Sequence, residues 1–222
     1  MKSRKRFVLS LVVVFAAGGL ALVLTGALPT DPLVTGKVEL KSIGALEFGP
    51  DGLLFAADSI GGAVFAIDVG VGSRPVGGWP QGSWRDRLAV GDLDAKLAAL
   101  LGTTPRDVYI RDLAYHEPTQ TAYLSLMRGS GSIAVPVLVA ISGDGTIAEV
   151  SLDDVRHAKL SLRDAPAAAA VDRYGRNMRT TTITDLAFDD GELFISGLSN
   201  EEFASTLRRV RYPFEGEAKA TS

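Results

Sequence analysis

The chain has 222 residues, enough for one domain with a proper core, and carries 23 basic against 26 acidic residues for a net charge of −3. It contains no cysteine, which excludes disulfides, thiolate metal sites, a cysteine nucleophile and a bacterial lipoprotein anchor. An acidic balance with no stripe of Lys and Arg repels phosphate backbones and argues against nucleic acid as a partner.

The first element is a leader. Lys2, Arg4, Lys5 and Arg6 form a basic cluster, and an uncharged, mostly apolar run follows from Phe7 to Leu28. That is the layout of an export signal, with Thr25 and Ala27 at spacings a signal peptidase accepts. The run is also long enough to span a bilayer of roughly 30 Å. Two readings of residues 1–28 therefore stand side by side: a cleaved signal peptide, or an uncleaved membrane anchor through residues 7–28. Either way the basic end stays in the cytoplasm and the rest is exported, to the periplasm, to the medium or tethered to the inner membrane. Without the four basic leader residues the balance is 19 basic to 26 acidic, net −7.

Three later segments align with one another. They are Ile43–Phe48, a Gly-Pro-Asp-Gly turn and Leu53–Ala57; Ile110–Tyr115, a polar turn through Pro118 and Thr121–Leu126; and Ile183–Phe188, an Asp-Asp-Gly turn and Glu192–Ser196. Each reads Ile-x-x-Leu-x-aromatic, a tight turn, then a short apolar strand. A third strand follows each time, at Ala63–Ile67, Val135–Ile141 and Thr206–Arg211. Asp-Gly and Pro turns suit hairpin loops. Strands that are apolar without alternation, such as Leu-Leu-Phe-Ala-Ala, are expected to be covered on both faces. A repeated meander of such strands predicts an all-β chain: a partial β-propeller of about three blades. A two-sheet sandwich is the competing architecture, and its strands should alternate more cleanly.

Blade 1 is placed at about 38–80, blade 2 at about 107–150 and blade 3 at about 181–214, followed by a polar tail, 215–222. Between blades 1 and 2, about 81–106, Asp92-Leu-Asp-Ala-Lys-Leu-Ala-Ala-Leu-Leu101 is read as a helical insertion, with Asp92 as N-cap and Gly102 as the residue that ends it. Residues 151–180 are polar and alanine-rich and read as a surface excursion. Three blades do not close a ring, which takes at least four. The expectation is a chain incomplete at its C-terminus or, if the chain is complete, a homodimer that closes the ring.

The phrase Leu46-Glu-Phe-Gly-Pro-Asp-Gly-Leu-Leu-Phe-Ala-Ala-Asp58, with Gly61–Asp68 after it, resembles blades of the six-bladed propeller superfamily, which includes NHL-repeat proteins and gluconolactonase-like lactonases. Leu97–Thr104 and Gly197–Ser205 look like segments of a bacterial family of exported propellers. The resemblance implies the architecture and leaves the function open, because propellers host enzymes and plain binding platforms alike. The lactonase group would supply a glutamate before the first turn, plus an asparagine and an aspartate from later blades, to hold one divalent metal. Glu47 lies one residue out of step with that group's pattern, and the second repeat has no matching asparagine.

Asp112 and Asp185 hold the same place in the second and third repeats, where the first has Ala45. In a propeller both would face the central channel. There they would either bind a hard cation such as Ca²⁺ or accept backbone N–H bonds that bolt one blade to the next. Asp58, Arg128 and Asn200 follow the second strand of their blades and are candidates for ligand contact; ordinary turn or cap chemistry is the alternative for each. Arg128, beside Gly129-Ser-Gly-Ser, is the best suited of the three to an anion. His116 and His157 are expected at the surface. Trp79 and Trp84 either line a groove or staple a loop. No nucleophile motif supports a hydrolytic triad. The function expected is a binding or scaffold module for a small molecule or a protein; the alternative is a Ca²⁺-dependent lactonase.

Overall fold

The computed structural model describes residues 32–70, 90–200 and 205–215. The leader, Trp79, Trp84, residues 201–204 that follow Asn200 and the tail beyond residue 215 lie outside the described residues. Among the described residues no helix is long and apolar enough to cross a membrane.

In chain order the elements are β1 (Val34–Gly36), β2 (Leu46–Phe48), β3 (Leu53–Asp58), β4 (Ala63–Asp68), α1 (Leu93–Leu100), β5 (Val108–His116), β6 (Thr121–Arg128), β7 (Val135–Ile141), β8 (Ile147–Glu149), β9 (Val155–Ser161), β10 (Asp185–Asp189), β11 (Glu192–Leu198) and β12 (Ser205–Arg211). Among the described residues they form three antiparallel sheets and no closed barrel. The first sheet runs β1-β9-β4-β3-β2, the second β5-β6-β7-β8 and the third β10-β11-β12. Each aligned segment folds as a three-stranded meander. The turn between β10 and β11 consists of Asp190 and Gly191, both at positive φ (46° and 79°), the backbone a two-residue hairpin needs to match strand twist.

The sheets are stacked out of chain order. Leu54, Ala56, Phe65 and Ile67 of the first sheet pack against Ala114, Tyr123 and Leu138 of the second. From the opposite face Phe55, Ala57, Val64 and Ala66 pack against Leu186, Leu193 and Ile195 of the third. The first sheet is therefore the middle layer, and every residue of β3 is buried. This is the physical content of its unbroken apolar run, since both faces are dry.

The chain reaches the third sheet by way of the first. Val155–Ser161, expected within a surface excursion, is instead β9, hydrogen-bonded between β4 and β1 in the middle sheet. The third sheet also departs from expectation. On β12 the buried Arg208 is flanked by exposed Leu207 and Arg209, so only one face of this sheet is covered.

Leu97 and Leu101 lay α1 on the outer face of the second sheet, over Leu124, Leu126, Val137 and Val139. At the helix end the Thr103 N–H donates to the Ala98 carbonyl at 2.9 Å and the Gly102 N–H to that of Ala99, with Gly102 at φ 62°. That is the expected glycine stop. Asp92 does not act as expected: its backbone is left-handed, at φ 52°, and its side chain makes no capping bond.

Candidate functional site

Asp58, at the end of β3, is 2% exposed, and its carboxylate is fully engaged. Oδ2 accepts from the Lys41 N–H at 3.0 Å, and Oδ1 accepts from the N–H of Ser42 at 2.9 Å and of Gly61 at 2.8 Å. The Ser42 hydroxyl donates to the same oxygen at 2.9 Å and accepts from the Ile60 N–H at 3.0 Å. A buried carboxylate needs such donors. Asp58 is thus the clamp that folds the 41–45 segment onto the β3–β4 turn, with no oxygen aimed at a ligand.

That segment forms one wall of a cleft whose other walls are tied to it across long sequence separations. The Ser59 hydroxyl donates to the Ile183 carbonyl at 2.9 Å, joining the β3–β4 turn to the strand that becomes β10. The Ser125 hydroxyl, on β6, donates to the Gly44 carbonyl at 2.6 Å. Arg179 donates from Nε to the Pro166 carbonyl at 2.6 Å and from a terminal nitrogen to the Ile60 carbonyl at 3.2 Å. Hydrogen bonds between elements this far apart in sequence preorganise the walls.

The cleft encloses about 910 Å³ where β5, the 41–45 segment and the strand leading into β10 meet, with the Gly129–Ser132 loop along one side. Its lining contains two cations, Lys41 and Arg111, and no carboxylate among the described residues. A β-bulge at Arg111 on β5, between the paired positions Ile110 and Asp112, shifts the register there. Among the described residues neither the Lys41 ammonium nor the Arg111 guanidinium has a hydrogen-bond or ion-pair partner.

One or two positions further along the same strands come three carboxylates, Glu47 on β2, Asp112 on β5 and Asp185 on β10. Burial pushes the Glu47 carboxyl above its ordinary value, the Phe48 N–H opposes this, and the like charges of Asp185 and Asp112 push it up further. The three are therefore electrostatic neighbours. Among the described residues no group of three or more His, Asp or Glu side chains is placed to hold a metal ion. Asp112 is spent otherwise, accepting from the Leu46 N–H of the middle sheet at 2.8 Å. Asp185 is exposed and accepts from its neighbour, the Leu186 N–H, at 2.9 Å.

Of the other expected contacts, Arg128 donates to the Leu101 carbonyl at 3.2 Å, at the end of α1. Asn200 is exposed, and its N–H donates to the Asp164 carbonyl at 2.7 Å. His116, expected at the surface, is 8% exposed. It stacks on Phe48 with ring centroids 4.7 Å apart, Nδ1 lies 2.9 Å from the Thr119 hydroxyl, and burial lowers its pKa. His157, on β9, is half-buried, with Nδ1 3.1 Å from the Val155 carbonyl. The cations of the cleft, Lys41 and Arg111, escape sequence reasoning because only the stacking order brings them together. The Gly129-Ser-Gly-Ser loop was a legible signal, but its cationic neighbour in space is Arg111 as well as Arg128.

No protein-family model matches the chain, and no curated protein matches it either.

Proposed function

We propose that the chain is an exported binding or scaffold module built from propeller-type blades, and that its ligand site is the cleft beside the Gly129–Ser132 loop. The observation that carries this reading is the cleft itself. Its walls come from all three sheets and are tied by hydrogen bonds across long sequence separations, and its lining is rich in hydrogen-bond donors. Residues 2–28 support export. The meanders support blade-type architecture, although their stacking, with the first sheet in the middle, differs from a ring built by simple succession.

The test is made on the full-length protein by thermal melting and a lactone-hydrolysis assay, each with and without Ca²⁺. The melting probes are glucose, glucuronate, glucose 6-phosphate and glucosamine. The expected result is a melting shift with at least one probe that disappears in Ser132→Trp, which fills the cleft, and no lactone turnover. Turnover that requires Ca²⁺ and is lost in Asp112→Ala with Asp185→Ala would replace this reading with the lactonase one.

A further inference from the structure

We infer that the cleft takes a small organic anion, a hydroxylated carboxylate or phosphate, held between Lys41 and Arg111. This rests on the cleft being the ligand site. The chain as a whole is acidic, with 26 acidic residues against 23 basic, so a concave site lined by two cations and no carboxylate runs against its average. Among the described residues several other arginines are already engaged within the chain. Arg128 and Arg179 donate to backbone carbonyls, and Arg176, Arg208 and Arg209 pair with carboxylates. Lys41 and Arg111 have no such partner among the described residues.

Both are fixed at the backbone while free at the side chain. Asp58 holds the Lys41 N–H, and β5 carries Arg111 at its bulge. The rest of the polar lining adds donors: the hydroxyls of Ser130 and Ser132 and the phenol of Tyr109, which is 41% exposed. An ammonium and a guanidinium can bracket one anionic group through charge-assisted bonds, and hydroxyls beside them suit the hydroxyls of a sugar-sized skeleton. The carboxylates that follow along the same strands, Glu47, Asp112 and Asp185, are not among the residues that line the cleft.

The experiment uses the full-length protein and the four hexose probes, which share a skeleton and differ in charge. Glucuronate or glucose 6-phosphate should raise the melting temperature where glucose and glucosamine do not, and whichever acts identifies carboxylate or phosphate as the anion. Arg111→Gln and Lys41→Gln should each weaken that dissociation constant about ten-fold by calorimetry, with urea midpoints unchanged. Binding should also weaken as salt rises from about 0.05 to 0.5 M. Glucose or glucosamine acting as strongly as the anions, in a manner lost in Ser132→Trp, overturns the anion and leaves the cleft standing as the site. Full anion affinity in both charge variants also overturns the inference. No shift with any probe overturns both the anion and the cleft.

Discussion

Asp112, on β5, accepts the Leu46 N–H of β2 at 2.8 Å across 66 residues of sequence, so a carboxylate of the second sheet closes a backbone bond that the edge strand of the middle sheet would otherwise lack. Leu46 is 5% exposed, and water does not readily replace this acceptor. Asp112→Ala should therefore cost about 2 kcal/mol, the range for orphaning a buried donor. Asp112→Asn keeps an acceptor oxygen and should cost less than about 1 kcal/mol. Urea unfolding measures both. Neither variant should change the response to Ca²⁺, as a ligand-removing substitution would.

Arg208 is fully buried on β12, and its Nε donates to both oxygens of Asp164 at 2.9 and 3.0 Å. The two terminal nitrogens donate to the carbonyls of Thr182 at 3.3 Å and Leu198 at 3.1 Å. One guanidinium thus fastens β12 to the turn after β9 and to both ends of the β10–β11 hairpin. Arg208→Met leaves Asp164 and two carbonyls without this donor and should cost about 3–5 kcal/mol. Arg208→Lys keeps the charge but cannot reproduce the planar fork, so its urea midpoint should lie nearer that of Arg208→Met than that of the native chain.

How far the sequence disclosed this arrangement depended on whether the signal was local. Leu53–Ala57 announces a strand dry on both faces, and Gly102 announces a helix stop, because both depend on near neighbours alone. Val155–Ser161 reads Val-Arg-His-Ala-Lys-Leu-Ser and carries little strand signal; it becomes a strand because β4 on one side and β1 on the other offer it two ladders. The kind of bond Asp112 makes was legible from its chemistry, while its partner was not. Asp58 followed the turn chemistry that was its alternative to a ligand role. Lys41 and Arg111 show no relation in the sequence, and only the placement of the first sheet between the other two makes them neighbours of one cleft.

Asp58 shows how the clamp and the cleft are coupled. Asp58→Ala removes the acceptor for three backbone N–H groups and the Ser42 hydroxyl. Bonds to a charged acceptor contribute about 1.5–3 kcal/mol each in isolation, but partial rehydration of the loop limits the expected loss to about 3 kcal/mol. Hydrogen exchange should show faster exchange of the Lys41 and Ser42 amides in this variant, with the β6–β7 amides slowed as in the native chain. Slow exchange at Lys41 and Ser42 would mean that the segment is held by something other than Asp58.

Gly197, on β11, lies against the backbone that precedes β10. A Cβ there would sit 2.0 Å from the Thr182 carbonyl oxygen and 2.6 Å from its carbon, and backbone atoms cannot rotate aside as a side chain can. Gly197→Ala should therefore cost about 3 kcal/mol by forcing the hairpin away from residues 182–183. Because Arg208 bonds the Thr182 carbonyl, combining Gly197→Ala with Arg208→Met should cost less than the sum of the two.

Glu47 gives the pH dependence. Burial, then the like charges of Asp185 and Asp112, hold its folded-state pKa above the ordinary value of 4.5. The folded chain therefore binds this proton more tightly than the unfolded chain does. The contribution to stability is fully present below the unfolded pKa and is lost as the pH rises through the folded one. Above that window the ionised Glu47 is a net cost, and Glu47→Gln removes it. Glu47 is only half-buried, so solvent screening keeps the expected gain at neutral pH to about 0.5 kcal/mol, or a degree or two in melting temperature. Well below 4.5, where the carboxyl is protonated in the folded and the unfolded chain alike, the two proteins should melt together. A lower melting temperature for Glu47→Gln than for the native chain at pH 7, vanishing at low pH, would reverse the sign and place a cation, rather than two carboxylates, beside Glu47.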